Sequence, residues 1–305
     1  MNARQRPILS LLAASTLLLV ASACGGAPSA APKKGPSTAY DRALHDALPA
    51  DIRSSGVLRV ATDASYAPAS SFAPNGRTIV GFEPDLAAAL GRVLGVKVRL
   101  ANADFAGLPS DVVHHRTDAV LSAMTDTPER ERKVDFINYF SAGTAIVVQR
   151  GNPDGITDLA GLCDKRVAVE KGTIQVDLLA RSQTNCAARP IIVKTYDTNS
   201  DALLQLRTGR ASAVLNDYPP AAHLASDAKT RAHFQLASTT QYEPGLYGIA
   251  VPKDRRPLRD AIRAALDQLM RSGEYAQTLK RWGVADGALT ESSINAGAAQ
   301  ATGAS

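Results

Sequence analysis

Apolar and polar residues alternate along the middle of the chain with two different periods. Short runs rich in β-branched residues predict strands at 57–61, 96–100, 119–121, 145–148, 167–169, 191–193, 213–215 and 249–251. Between these runs, apolar residues recur at helical spacing. Pro84 opens one such helix and Gly95 ends it, while Pro257 and Gly273 bracket another. This alternation predicts an α/β protein with mostly parallel sheets.

Polar residues cluster directly after several of the predicted strands. They are Asp63, Tyr66, Ser122, Thr125, Glu170, Thr173 and Asp217. In open α/β sheets, ligands bind beyond the carboxyl ends of the strands. We therefore expect these side chains to converge on one site.

The segment around Arg130 has the features of a helix start. Pro128 suits the first helical position, and Thr127 suits the cap before it. Free backbone N–H groups at such a start, together with the guanidinium of Arg130, would hold a carboxylate. Asp217, at another strand end, would hold an ammonium group, so the two groups together predict an amino-acid site. A simpler interpretation is that Arg130 lies on a solvated helix face and Asp217 caps a helix.

Residues 1–23 have a different pattern from the rest of the chain. Arg4 and Arg6 precede an apolar run at 8–20, and small residues follow, which is the order of a secretory signal peptide. Cys24 comes directly after Ala-Ser-Ala, so the segment resembles a bacterial lipoprotein signal. That resemblance implies a lipid on Cys24 that anchors the exported protein to the outer face of the bacterial cell membrane. A plain signal peptide with a coincidental cysteine is the alternative.

Small and polar residues dominate the sequence on both sides of the predicted strands and helices. Residues 24–52 begin with a stretch rich in Gly, Ala, Pro and Ser and are predicted to be a lipidated flexible tether. Residues 287–305 are again rich in Ala, Gly and Ser and are predicted to be a disordered tail. The remaining residues, 53–286, have a length that suits roughly two domains.

The composition excludes several classes of protein. Aromatic residues make up 5% and charged residues 21% of the chain, which fits neither a membrane bundle nor a polyelectrolyte. The net charge of +5 comes from basic residues scattered among acidic ones, so we expect no nucleic-acid partner. No phosphate-binding loop, nucleophile elbow or zinc-hydrolase motif occurs in the sequence. We accordingly predict no catalytic residue, no metal and no cofactor.

Two further cysteines remain once Cys24 is set aside. Cys163 and Cys186 lie 23 positions apart and form an even set in a chain predicted to enter an oxidising compartment. We predict a structural disulfide between them, with two buried free thiols as the alternative.

Several motifs in a fixed order resemble those of one known family. They are the stretches 57–68, 81–86 and 118–122, the segment from Arg130 to Phe136, Gly172-Thr173, Gly209-Arg210, Asn216-Asp217, and Gly273 to Gly283. The sequence resembles the extracellular solute-binding proteins of polar amino-acid ABC importers, with the lysine/arginine/ornithine-binding and glutamine-binding proteins as nearest examples. The likeness extends over the whole predicted folded body.

The resemblance implies a fold, a function and partners. The fold is the two-lobed, periplasmic-binding-protein-like type II fold, with lobe 1 at 53–140 plus 245–286 and lobe 2 at 141–244. Two crossing segments would join the lobes around a cleft. The implied function is capture of a free amino acid by lobe closure, without catalysis, and delivery to membrane permease subunits that a separate cytoplasmic ATPase powers. The protein is expected to be a monomer.

The resemblance also implies a role for each site residue. Arg130 would bind the substrate carboxylate with help from Ser122, Thr125 and the backbone N–H of Thr173, and Asp217 would bind the ammonium group. Tyr66 and Phe105 would enclose the substrate side chain between aromatic faces, and Asp63 would meet its polar end. Gln175 is a weaker candidate.

Two departures from the family pattern bear on specificity. Ala123 stands where the family usually has a second serine. Glu170 stands where glutamine binders tend to carry lysine and where binders of basic amino acids tend to carry an apolar residue. If Glu170 faces the cleft, a basic substrate such as arginine, lysine or ornithine balances the charges best, because unpaired buried charge is costly. The alternatives are a binder of glutamine or another polar amino acid, and an enzyme resembling cyclohexadienyl dehydratases in which Glu170 is a general acid.

Overall fold

A computed structural model describes residues 37–297 of the chain, so the predicted signal peptide and Cys24 lie outside the described part. The α-helices are α1 Arg42–Ala47, α2 Ala50–Ser55, α3 Phe82–Leu94, α4 Leu108–Val113, α5 Pro128–Glu131, α6 Ile174–Ser182, α7 Asn199–Arg207, α8 Tyr218–Ser226, α9 Arg256–Ser272 and α10 Glu274–Arg281. The strands are β1 Val57–Thr62, β2 Ser65–Tyr66, β3 Ser70–Phe72, β4 Ile79–Val80, β5 Lys97–Asn102, β6 Ala119–Val120, β7 Val134–Gln149, β8 Arg166–Glu170, β9 Ile192–Tyr196, β10 Ala213–Asp217, β11 Phe234–Leu236 and β12 Tyr242–Pro252.

Within this part of the chain, the large sheet runs in the order β5-β1-β6-β12-β7-β10-β8-β9, and β11 also pairs with β7. Both flanks are parallel, since β1 pairs with β5 and β6, and β8 pairs with β9 and β10. The centre is antiparallel, because β7 runs opposite to β10, β11 and β12. The α/β class is therefore confirmed, but the expectation of mostly parallel pairing is wrong at the centre, where two long strands carry the chain out and back.

Buried apolar residues form separate cores at the two ends of the central strands. Phe82, Leu94 and Ile137 belong to the core on one side, whereas Val167 and Leu179 belong to the core on the other. Strand β7 contributes to both, because its first half packs into the first core and its second half into the second. Strands β7 and β12 thus connect two lobes, each of which has its own hydrophobic interior.

The two helices predicted from the sequence are both present, although α3 begins at Phe82, two residues before the predicted start at Pro84. Helix α3 ends at Gly95, which adopts the left-handed conformation (φ 66°) that glycine accepts without strain. Helix α9 ends in the same way at Gly273. The predicted apolar stripe of α9 is buried, including Leu258, Ile262 and Leu266. Across residues 37–297, no helix has the length and apolar character needed to cross a membrane.

The structure corrects both predicted flexible regions. The predicted tether reaches residue 52, but α1 and α2 already belong to the first lobe, and Leu48 and Ile52 are 2% exposed. The predicted tail begins at 287, but residues 287–297 pack on the first lobe, with Ser292 only 3% exposed. Both errors come from composition, because a segment rich in small residues can still fold when its backbone hydrogen bonds have partners in the body.

A small second sheet is absent from the sequence prediction. Strands β2, β3 and β4 pair antiparallel directly after β1. Each has only two or three residues, which is too short for a readable alternation of apolar and polar positions. This sheet positions Tyr66 at the mouth of the cleft.

The predicted disulfide is confirmed. Cys163 and Cys186 are bonded, with Cα atoms 5.2 Å apart. Both cysteines pack against the core of the second lobe. The bond therefore closes a loop within that lobe only.

Glu83 is a carboxylate buried inside the first lobe. Its Oε1 accepts hydrogen bonds from the backbone N–H of Ala123, at 2.5 Å, and from the hydroxyl of Tyr139, while Oε2 accepts one from the hydroxyl of Ser70 at 2.8 Å. Burial raises the pKa of Glu83. Because Ala123 has a left-handed backbone (φ 45°), these bonds hold a strained turn in place.

We predict that Glu83→Leu destabilises the protein, since an unsatisfied buried donor costs about 1–3 kcal/mol and at least two donors lose their acceptor. Glu83→Gln is the matched control, because its amide oxygen can still accept from Ala123 and Tyr139. Urea unfolding at neutral pH measures both variants. Equal midpoints for the two variants would show that the hydrogen bonds of Glu83 do not stabilise the fold.

Candidate functional site

A narrow cavity lies between the two lobes at the carboxyl ends of the strands. Its lining consists of Asp63, Tyr66, Phe105, Ser122, Ala123, Thr125, Arg130, Glu170, Thr173, Ile174, Gln175 and Asp217. All nine residues predicted to contact a ligand are among them. The structure therefore brings together residues that are up to 154 positions apart in the sequence.

Strand ends explain why these side chains meet. Asp63 directly follows β1, and Ser122 lies two residues beyond β6. Glu170 and Asp217 are the last residues of β8 and β10. Parallel neighbours in a sheet end at the same edge, so each lobe presents its polar residues toward the other across the cleft. Thr173 is the cap residue that precedes α6, and this helix start directs free backbone N–H groups to the same place.

Arg130 occupies the position that the predicted helix start gives it. The hydroxyl of Thr127 accepts a hydrogen bond from the backbone N–H of Arg130 at 3.2 Å and caps α5. The guanidinium donates from Nη1 to the carbonyl of Thr125, at 2.6 Å, and from Nη2 to the carbonyl of Gly172, at 2.9 Å. Its Cζ lies 5.6 Å from the centre of the Phe105 ring. Arg130 thus faces the cleft and is not part of a solvated helix face.

Burial shifts the acid–base behaviour of this cation. Loss of water lowers the pKa of Arg130 to about 10, and the charge of Asp217 acts in the opposite direction. The group remains positive at neutral pH. A cation held by neutral carbonyl groups, in a site that excludes water, interacts strongly with an incoming carboxylate.

Asp217 lies on the opposite wall and has several polar neighbours. Its Oδ1 accepts a hydrogen bond from the amide of Gln175 at 2.8 Å, and its Oδ2 accepts one from the hydroxyl of Tyr66 at 3.2 Å. Burial raises the pKa of Asp217 to about 6, while the hydroxyls of Tyr247 and Tyr66 and the amide of Gln175 lower it. The carboxylate is therefore ionised at neutral pH and can receive an ammonium group.

Two further acidic side chains, one from each lobe, lie next to each other in the cavity. Glu170 from lobe 2 and Asp63 from lobe 1 are neighbours in the cavity, and both are at most 5% exposed. Burial, followed by the charge of Asp63, raises the pKa of Glu170 to about 9. Its Oε1 is buried without a hydrogen-bond partner. An unsatisfied buried carboxyl group aimed into a cavity is a ready partner for a donor from a ligand.

Contacts across the cleft show that the lobes are closed. The hydroxyl of Ser65 in lobe 1 accepts a hydrogen bond from the backbone N–H of Asn199 in lobe 2 at 3.2 Å. Gly172 adopts a left-handed conformation (φ 80°), and a Cβ atom there would lie 3.0 Å from Cα of Ala106 in lobe 1. Only glycine combines this backbone with so close an approach.

Sequence reasoning missed two supporting residues. Tyr247 lies fully buried beside Asp217, in a run of apolar strand residues that shows no polar signal. Glu83 belongs to a motif that matched the family, but nothing in the sequence links it to Ala123, which is 40 positions away. Gln175, a weaker candidate from the sequence, is a direct hydrogen-bond partner of Asp217. In the described part of the chain, no group of His, Cys, Asp and Glu residues could hold a metal ion.

Comparison with known proteins relates this site to one family. A sequence profile of the bacterial extracellular solute-binding proteins, family 3, matches residues 58–285. The putative ABC transporter arginine-binding protein 2 of Escherichia coli K12 is 30% identical over 74% of this chain and 90% of its own length. The structure of an ancestral arginine-binding protein bound to arginine is 34% identical, with a TM-score of 0.68 over 74% of this chain and 98% of the other.

Another solved structure is that of an ancestral amino-acid-binding protein, a precursor of cyclohexadienyl dehydratase. It is 32% identical, with a TM-score of 0.68 over 76% of this chain and 97% of the other. These likenesses extend over both lobes, and they confirm the two-lobed type II fold that the motifs imply. Since the family profile also matches well over half of the sequence, the chain belongs to the bacterial extracellular solute-binding proteins, family 3.

Proposed function

We propose that the protein is the substrate-binding component of an ABC importer and that it captures arginine or a related basic amino acid. The observation that carries this proposal is the acidic pair of Asp63 and Glu170, which stands in the same cavity as an amino-acid clamp. The clamp recognises the backbone of the ligand, and the acidic pair recognises its side chain.

The clamp consists of Arg130 and Asp217 on opposite lobes. Arg130 receives the α-carboxylate in a bidentate manner, with further donors from Ser122, Thr125 and the N–H of Thr173. Asp217 receives the α-ammonium group. A zwitterion thereby satisfies one charge on each lobe, which a ligand lacking either group cannot do.

Charge balance favours a cationic side chain. Three carboxyl groups and one guanidinium line the cavity. Glu170 keeps a proton at neutral pH in the empty cavity, so a neutral amino acid leaves Asp63 without a cationic partner, and unpaired buried charge is costly. The guanidinium or ammonium group of a basic amino acid lies between Asp63 and Glu170 and removes that cost. Tyr66 and Phe105 present aromatic surface to the methylene groups of the ligand side chain.

Ligand capture and delivery follow from lobe closure. A ligand that contacts both lobes favours the closed arrangement by its differential affinity. The closed protein then docks on permease subunits that a separate ATPase drives. A signal peptide, a lipid on Cys24 and a monomeric state complete the proposal for an exported receptor at the outer face of the membrane. The family match and the names of similar proteins as arginine-binding support the capture and delivery of the ligand.

An enzyme related to cyclohexadienyl dehydratase is the second candidate. The observation in its favour is Glu170, which keeps a proton at neutral pH inside a closed cleft and so resembles a general acid. Against it, a dianionic prephenate-like substrate needs more cations than Arg130 alone. Binding without catalysis is therefore our proposal. Formation of an ultraviolet-absorbing aromatic product during incubation of the protein with prephenate or arogenate would favour the enzyme.

A thermal-shift screen of the common amino acids with ornithine tests the ligand class. We expect arginine, lysine or ornithine to stabilise the protein most, since a ligand at 100 times its Kd adds about 2.7 kcal/mol to the free energy of unfolding. Stabilisation by glutamine with none by the basic amino acids would favour the alternative binder.

Arg130→Ala is expected to weaken arginine binding by about 2–5 kcal/mol, the usual loss when one partner of a buried charge pair is removed. Titration calorimetry measures the change. Arg132→Ala is the matched control, because Arg132 follows the same short helix but is exposed and lies outside the cavity. Equal affinity for the two variants would remove Arg130 from the site.

Arginine affinity is expected to rise with pH between about 6.5 and about 8.5, by up to about tenfold per unit. A cation stabilises the ionised form of Glu170 and lowers its pKa from about 9, so binding releases a proton and higher pH favours binding. Asp217 titrates below this window, at about 6.

Citrulline is the control ligand for this experiment, because it has the same zwitterion and a neutral side chain. Glu170→Gln is the control variant and should flatten the pH dependence for arginine. Parallel pH profiles for arginine and citrulline would show that no cation meets Glu170.

A further inference from the structure

Residues 288–297, here called the strap, form an ordered segment that crosses the first lobe. They lie beyond residues 58–285, which the family profile matches. Backbone bridges join Ala288 to Phe140 and Ile294 to Ile137 of β7. The strap therefore follows the hinge strand β7 toward its first residue.

Side chains fix the strap to β7 in one register. Asn295 accepts a hydrogen bond from the backbone N–H of Phe136 at 2.7 Å and donates one to Asp135 at 3.0 Å. The hydroxyl of Ser293 donates to the side chain of Asn138 at 2.8 Å, and the N–H of Asn138 donates to the carbonyl of Ser293 at 2.9 Å. These bonds satisfy polar groups of a buried strand, so the strap is part of the folded lobe.

The strap reaches Asp126, which is 3% exposed. The backbone N–H of Gly297 donates to Oδ2 of Asp126 at 3.1 Å, and the side chain of Asn138 donates to the same oxygen at 2.9 Å. A Cβ atom on Gly297 would lie 2.1 Å from the carbonyl oxygen of Asp126. This close approach holds the backbone of residue 126 against the strap.

Asp126 lies between the two residues that hold Arg130. The carbonyl of Thr125 accepts from the guanidinium at 2.6 Å, and the hydroxyl of Thr127 caps the helix on which Arg130 stands. The N–H of Asp126 also donates to the carbonyl of Leu246, in the other crossing strand, at 2.7 Å. A shift at residue 126 moves the acceptor and the cap of Arg130 together.

We propose that the strap is a positioning element of the ligand site, which acts through Asp126 to fix the guanidinium of Arg130. The proposal rests on the proposed function, in that Arg130 binds the α-carboxylate of an amino acid. No residue of the strap lines the cavity between the lobes, so the strap is assigned no direct part in recognising the ligand.

A chain that ends at Leu289 removes most of the strap, and a chain that ends at Gln300 is the matched control that keeps it. Titration calorimetry with arginine is expected to show about tenfold or greater loss of affinity for the shorter chain, which is the size of coupling found within one hydrogen-bond network. The longer control keeps the affinity of the full chain.

A double-mutant cycle separates positioning from general support. In the Arg130→Ala background, removal of the strap should change arginine affinity by less than about threefold, because the group that the strap positions is gone. The same loss in both backgrounds would overturn the proposal, as would unchanged affinity on removing the strap from the otherwise unaltered protein.

Two variants of full length cover the case in which the shortened chain does not fold. Asp126→Ala removes the acceptor for Gly297 and Asn138 and should lower arginine affinity, whereas Asp126→Asn keeps an acceptor oxygen and should restore most of it. Equal affinities for the two variants would contradict the proposed route through Asp126.

Amide hydrogen exchange tests the positioning role without any ligand. Asp126→Ala should speed exchange at residues 122–131 and leave residues 166–217 of the second lobe unchanged. Absence of this local change would overturn the positioning role even if arginine binding itself failed. Failure of the full chain to bind any amino acid, with the local change present, would contradict only the proposed function.

Discussion

The pairing of β7 with β12 is the constraint on which the rest of the structure depends. These two strands lie side by side in the middle of the sheet, and each enters both lobes. Because β7 contributes apolar residues to both cores, neither lobe can fold without fixing one end of the connection. The cleft lies where the chain leaves one core for the other, so the fold itself brings the strand ends of the two lobes face to face.

Buried charges make the cleft a binding site for a charged ligand. Each wall has a buried charge that lacks sufficient compensation from its own lobe, and burial raises the pKa values of Glu170 and Asp217 and lowers that of Arg130. Such a site is costly for the protein to keep empty and favourable to fill with a ligand of complementary charge. The slightly basic chain therefore has an acidic binding cavity, and the net charge of the molecule says little about its ligand.

Much of the fold and of the cavity could be predicted from the sequence, for a physical reason. Strands such as β1 and β8 are largely buried and appear as apolar runs, and the residue after such a run must lie at the sheet edge. That rule, together with family motifs, placed Asp63 and Glu170 in the cleft. It could not place Glu83 or Tyr247, because their importance comes from hydrogen bonds between distant segments. Nor could composition show that the strap folds, since its small and polar residues are held by backbone and side-chain hydrogen bonds and not by apolar burial.

The hydrogen bond from Arg130 to the carbonyl of Gly172 has a consequence for the free energy of closure. This bond and the contact of Ser65 with Asn199 join the lobes directly, through protein atoms. Part of the stabilisation of the closed form thus belongs to the protein, and the ligand supplies only the remainder. The strength of these contacts therefore contributes to the balance between the open and closed forms when no ligand is bound.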